Sequence, residues 1–191
     1  VMLSLTVISA NQGETYYNAE NYPRAIKAYE TVLAQPDIPE ALVQGTIRTL
    51  SQLYFVQENF DKSIQLAERY NREFGEDPEL LALIGTAYYQ KNQPAKIVAP
   101  IERAIAIARE RGTTVKEQWW LLLRVAYWEQ DNYKKVKEIL EILVVNWPKK
   151  EYWTQLSGIY YELKDEPRQL AAYEAAYDQG LLSSNGELVQ M

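Results

Sequence analysis

The 191-residue chain has no cysteine and no histidine. Together these absences remove disulfides, thiolate nucleophiles, the usual zinc ligands and imidazole bases. A chain without cysteine suits a reducing or an oxidising compartment equally. Glycine and proline number only eight each, too few for a linker or a low-complexity chain. No apolar run reaches the ~18 residues of a membrane helix, so no membrane insertion is expected. Basic residues are in deficit, 20 Lys and Arg against 26 Asp and Glu, for a net charge of −6. That balance repels phosphate backbones and disfavours nucleic acid as a partner. The serines have no histidine to activate them, and there is no Gly-x-Ser-x-Gly elbow, phosphate loop or dinucleotide glycine pattern. No catalytic residue, metal or cofactor is expected. Paired carboxylates such as Glu138/Glu141 read as the solvated side of an amphipathic helix. The chain opens on Val1, which reads as a processed start with any targeting segment upstream.

What the chain does contain is one phrase written repeatedly. GETYYNAENYPRAIKAYE at 13–30 returns as GTAYYQKNQPAKIVAPIE at 85–102, RVAYWEQDNYKKVKEILE at 124–141 and SGIYYELKDEPRQLAAYE at 157–174. The aromatic pairs Tyr16-Tyr17, Tyr54-Phe55, Tyr88-Tyr89, Tyr127-Trp128 and Tyr160-Tyr161 are spaced by 38, 34, 39 and 33 residues. Self-similarity at such a period marks a solenoid. Apolar residues recur at three- and four-residue steps, as in Ile47, Leu50, Tyr54 and Trp120, Leu123, Tyr127. That is helical periodicity rather than strand alternation.

Each unit reads as two helices. The first ends just after the aromatic pair. The second starts after Asn21, Asn59, Asn132 or Asp165, whose side chains accept from free helix amides, while Gln93 in the third unit is a poorer cap. Pro23, Pro94 and Pro167 fall in the first turn of the second helix, where a missing N–H costs little. Pro100 lies deeper and predicts a kink or broken turn near Val98. Gly13 and Gly85 read as glycines of close helix contact.

These residues resemble the tetratricopeptide repeat. Trp120, Leu123, Tyr127, Val136, Leu140 and Pro148 follow its spacing, as do Gly13, Tyr16, Ala25 and Tyr29, and Ile84, Gly85 and Tyr88. The resemblance spans about residues 6–181, in units at about 6–39, 44–77, 78–111, 117–149 and 150–182. It implies an all-α, right-handed superhelical solenoid of about five helix-turn-helix repeats. Three residues depart from the motif: Arg124 replaces a small residue, and Ser63 and Gln169 replace alanine. Residues 183–191 read as the start of a further helix near Glu187, so the array is expected to continue beyond Met191. Ordering ~34 residues costs on the order of 50 kcal/mol. Offsetting that takes roughly 2,000 Å² of apolar burial at ~25 cal/mol/Å². One hairpin has two open faces, so each copy is expected to be stable only beside another.

In that family the first helices line a concave groove for peptides or partner helices. Tyr16, Tyr54, Tyr88, Tyr127 and Tyr160 are expected in the core. Tyr17, Phe55, Tyr89, Trp128 and Tyr161 lie one residue on, about 100° around the helix. They point either into the groove or between repeats. With Arg48, Glu79, Glu129 and Glu162 they form the candidate partner-binding set. The groove positions lean acidic, with Glu14, Glu79, Glu129, Glu151 and Glu162 against Arg48, which favours a basic, Pro-rich or apolar protein segment. Relatives that clamp a peptide carboxylate use lysine and asparagine at positions held here by Gln52, Thr86 and Val125. Trp120 and Trp153 are expected on the core side of their helices. The lysines Lys134, Lys135, Lys137, Lys149 and Lys150 read as a solvated face.

A closer resemblance covers YETVLAQPDIPEA and, most specifically, residues 116–182. These are similar to proteobacterial tetratricopeptide proteins described as components of TonB energy-transducing systems. That resemblance implies an exported, periplasmic protein linked to TonB-dependent uptake. Two other readings stay open at this stage: self-assembly through exposed repeat ends, and service as the repeat part of a larger enzyme or regulator.

Overall fold

The computed structural model describes residues 5–182. Ten α-helices run through them: α1 (Leu5–Asn18), α2 (Tyr22–Leu33), α3 (Glu40–Val56), α4 (Phe60–Phe74), α5 (Pro78–Gln90), α6 (Val98–Glu110), α7 (Glu117–Trp128), α8 (Tyr133–Asn146), α9 (Lys150–Glu162) and α10 (Glu166–Asp178). They pair as five hairpins, and each helix packs on the next in the chain. The first helices also touch across repeats, α3 on α5 and α5 on α7. No strand occurs among the described residues. The architecture is an all-α, right-handed superhelical solenoid. The tail from 183, read above as a further helix, lies outside the described residues. None of the described helices is long and apolar enough to cross a membrane.

The turn inside each repeat is built on the first tyrosine of the pair. The residue before each cap (Glu20, Glu58, Asn92, Asp131 and Lys164) takes a left-handed φ between 53° and 57°. The cap residue's own N–H then reaches back to the tyrosine carbonyl: Asn21 to Tyr16 and Asn59 to Tyr54 at 2.8 Å, Asn132 to Tyr127 at 2.9 Å. This is the six-to-one bond that closes a helix C-terminus around a left-handed residue. The side chains of Asn21, Asn59, Asn132 and Asp165 accept from the backbone amides of Arg24, Lys62, Lys135 and Arg168 at 3.3–3.4 Å.

Gln93 makes no such bond, and its Oε1 is buried without a partner. A 3-10 turn at Pro94–Lys96 takes the place of the first α-turn, and α6 starts only at Val98. Pro100 therefore falls in the first turn of α6, where its missing N–H leaves no gap. The break expected near Val98 is present at Ile97, and the poor cap shares its cause with the proline.

The core runs as two apolar clusters that meet at Tyr88. One holds Ile47, Ile64, Ala67, Leu80 and Ile84, the other extends from Leu81 to Ala172. Trp119 and Trp120 are both buried in the second cluster, with Trp147 and Trp153 packed against it. Ser63, standing where the motif has alanine, is fully buried and donates to the Ser51 carbonyl at 2.8 Å. A Cβ at Gly13 would lie 2.8 Å from the Tyr29 ring, and one at Gly85 2.5 Å from Ile101. Both are contact glycines, whereas a Cβ at Gly45 meets nothing within 4 Å.

Gln93→Asn should restore the missing cap and raise stability by about 1 kcal/mol in denaturant titration. Gly45→Ala should add about 1 kcal/mol of helix propensity. Gly85→Val should lower stability by about 1–3 kcal/mol through overpacking against Ile101.

Candidate functional site

The two tyrosine columns part company in the structure. Tyr54, Tyr127 and Tyr160 are buried, and Tyr16 and Tyr88 are half-buried. One residue on, Tyr17, Tyr89 and Trp128 are 41%, 46% and 48% exposed, Tyr161 is 68% exposed, and Phe55 is half-buried. Three of these rings rest on the residue that follows their own repeat's cap. Tyr17 meets Tyr22 at 6.2 Å, Phe55 meets Phe60 at 5.4 Å and Trp128 meets Tyr133 at 5.7 Å. Pro94 and Glu166 hold that position in the third and fifth repeats, so Tyr89 and Tyr161 gain no such support. The contact is thus within a repeat.

The charged members of the expected set divide in the same way. Arg48 is committed elsewhere. It pairs with Asp77, hydrogen-bonds the Tyr70 hydroxyl at 3.5 Å and stacks over the Tyr70 ring at 5.2 Å. Glu79 pairs with Lys116 at 2.7 Å, and Glu117 with Lys149 at 2.8 Å. These three pairs tie α3 to α5, α5 to α7 and α7 to α9 at the starts of α5, α7 and α9. Glu129 and Glu162 are exposed, and no ion-pair partner of either lies among the described residues.

One cavity lies between α7 and α9. Its volume is about 380 Å³, and it is lined by Arg124, Val125, Trp128, Glu129 and Gln155. Arg124 donates to the Gln155 side chain, while its Nε is buried without a partner. The large residue that departs from the motif is therefore part of the cavity wall. The cavity offers an indole, a carboxylate and a guanidinium, a set suited to a peptide side chain with its backbone carbonyl.

A second recurring set went unread in the sequence. The Tyr54 hydroxyl donates to Glu30, that of Tyr127 to Glu102 at 2.6 Å and that of Tyr160 to Glu141 at 2.8 Å. Each bond crosses from one repeat to the second helix of the repeat before it. Glu141 is therefore not merely a solvated residue beside Glu138, because it is half-buried and receives Tyr160. A cation completes the group. Lys62 sits 4.7 Å from the Tyr54 ring centre and donates to its hydroxyl at 3.1 Å, and Lys96 sits 5.4 Å from the Tyr88 ring centre. Glu68 lines the same cavity as Tyr88. The signal was available: nine residues after each cap stands Glu30, Glu68, Glu102, Glu141 or Glu174, and three after it Arg24, Lys62, Lys96, Lys135 or Arg168.

Burial first, then the Glu141 hydrogen bond, pushes the Tyr160 phenol up to about 12 from its ordinary 10.0. Tyr54 and Tyr127 are raised for the same reasons, burial and then Glu30 or Glu102. The sign follows directly. Below pH 10 these phenols are neutral in both states and the junction bonds contribute fully. Between pH 10 and 12 the unfolded chain ionises first, so folding stability falls. Thermal unfolding should show a flat midpoint from pH 8 to about 10 and a fall above it. Tyr160→Phe should be less stable at pH 8 by about 1 kcal/mol and show a shallower fall.

No family model and no curated relative matches the chain. Solved structures do match it. A MamA protein crystal structure aligns with a TM-score of 0.71 at 18% identity, covering 91% of each chain. MamA from strain AMB-1 gives 0.71 at 14% identity over 96% of each chain. Residues 41-end of MamA from Desulfovibrio magneticus RS-1 give 0.69 at 11% identity, over 93% of this chain and 96% of that one. At such identities the likeness concerns the fold, and the fold it shows is a tetratricopeptide-type helical solenoid.

Proposed function

We propose that this chain is a non-catalytic scaffold that binds an extended protein segment along the face of its first helices. The cavity beside Trp128 carries the proposal. There an exposed indole, Val125 and the Arg124 guanidinium meet in a recess of about 380 Å³. Tyr89 and Tyr161 continue an exposed aromatic row on α5 and α9, and aromatic anchors dominate binding energy at protein interfaces. Glu129 beside the indole, with Glu162 one repeat on, favours a basic or Pro-rich segment over an acidic one. The face is less acidic than a count of glutamates suggests, because Lys116 neutralises Glu79. The resemblance to TonB-linked proteins supports work in the periplasm beside a TonB-dependent uptake system.

Trp128 is the most exposed tryptophan, so its fluorescence reports occupancy. Titration with a Lys/Pro-rich peptide should shift its emission to the blue. Trp128→Ala and Tyr161→Ala, followed calorimetrically, should each weaken binding by roughly tenfold or more, about 1.4 kcal/mol, with unchanged helical circular dichroism. Wild-type affinity in both variants, or equal binding of a Glu-rich peptide, contradicts the proposal. Fractionation of the tagged protein in its host should place it in the periplasm, and retention in the cytoplasm would remove the TonB link.

A further inference from the structure

Each end of the described solenoid carries half of the chemistry that joins its repeats. At three internal junctions a glutamate nine residues past the cap receives the hydroxyl of the next repeat's tyrosine, and a lysine lies over the ring at the Tyr54 and Tyr88 junctions. At the amino-terminal end, the Arg24 guanidinium lies 5.6 Å from the centre of the Tyr16 ring. No earlier repeat among the described residues supplies a carboxylate there. At the other end, Glu174 is exposed on α10, at the position of Glu30, Glu102 and Glu141. The surface around it has the form of a junction. Tyr177 is 43% exposed, whereas Ile105 and Val144, at the same distance from their caps, are each only 4% exposed beneath the following repeat.

We propose that copies of this chain stack head to tail, Glu174 of one copy accepting the Tyr16 hydroxyl of the next, beside that copy's Arg24. The occupant is a second copy because the complementary half, a phenol and a cation at the junction spacing, is present on the α1–α2 hairpin of the same chain. A carboxylate at one end and a guanidinium at the other also match in charge. The two surfaces differ, so the contact is heterologous and propagates into filaments or closes into rings rather than stopping at a dimer. The contact uses the ends of the solenoid and leaves the Trp128 cavity free, so it stands or falls independently of peptide binding.

Sedimentation velocity across a concentration series tests this on the 191-residue chain. The mean mass should rise with concentration and fall with added salt. Glu174→Arg and Arg24→Glu should each weaken association by roughly tenfold or more, with helical circular dichroism unchanged. An equimolar mixture of the two variants should associate again, since each then presents the charge that the other lacks. A wild-type chain that stays monomeric across the series overturns the proposal. Association that survives both reversals, or a mixture that fails to recover it, does so as well.

Discussion

The hydroxyl of a buried tyrosine reaching a carboxylate across a repeat boundary is the interaction on which this molecule turns. A hairpin of two short helices leaves a large apolar face open, so its stability depends on a neighbour. The tyrosine that crosses the boundary also closes the turn of its own hairpin, because its carbonyl receives the cap residue's N–H, as Tyr160 does from Asp165 at 2.8 Å. One residue thus serves both the local turn and the long-range junction. A phenol hydrogen-bonded to a charged acceptor is stronger than a neutral pair. Burial around it makes an unmet hydroxyl costly.

The next residue is free of those duties. Moving one position along a helix turns the side chain by about 100°, far enough to take Trp128 from the junction surface to the cavity wall. A junction residue and an exposed residue are therefore written in adjacent letters of the same phrase. Tyr17, Phe55, Tyr89, Trp128 and Tyr161 vary in size and support, while the tyrosine before each is constant. The exposed row can change without disturbing the stack.

Much of the fold was legible because caps and periodicity act within a few residues. Asn21, Asn59, Asn132 and Asp165 announce their helices, and the weakness of Gln93 is visible as a 3-10 turn. The site was less legible, because its decisive contacts join residues far apart in the chain. Arg48 and Glu79 looked available for a partner, yet Asp77 and Lys116 engage them across the solenoid. Glu141 looked solvated by helix phase, but its neighbour Tyr160 comes from the next repeat. Arg124 looked like a departure from the motif, and it forms the wall of a cavity that appears only when α7 and α9 stand side by side.

The central claim is that each repeat depends on its neighbours, so stability should vary along the array instead of belonging to the chain as a whole. Residue-resolved native-state hydrogen exchange reads this directly. Protection is predicted to be highest in α3 through α8, which have a repeat on both sides. It should step down at the repeat boundaries toward α1–α2 and α9–α10. Equal opening free energies in all ten helices, lost in a single cooperative event, would contradict the account.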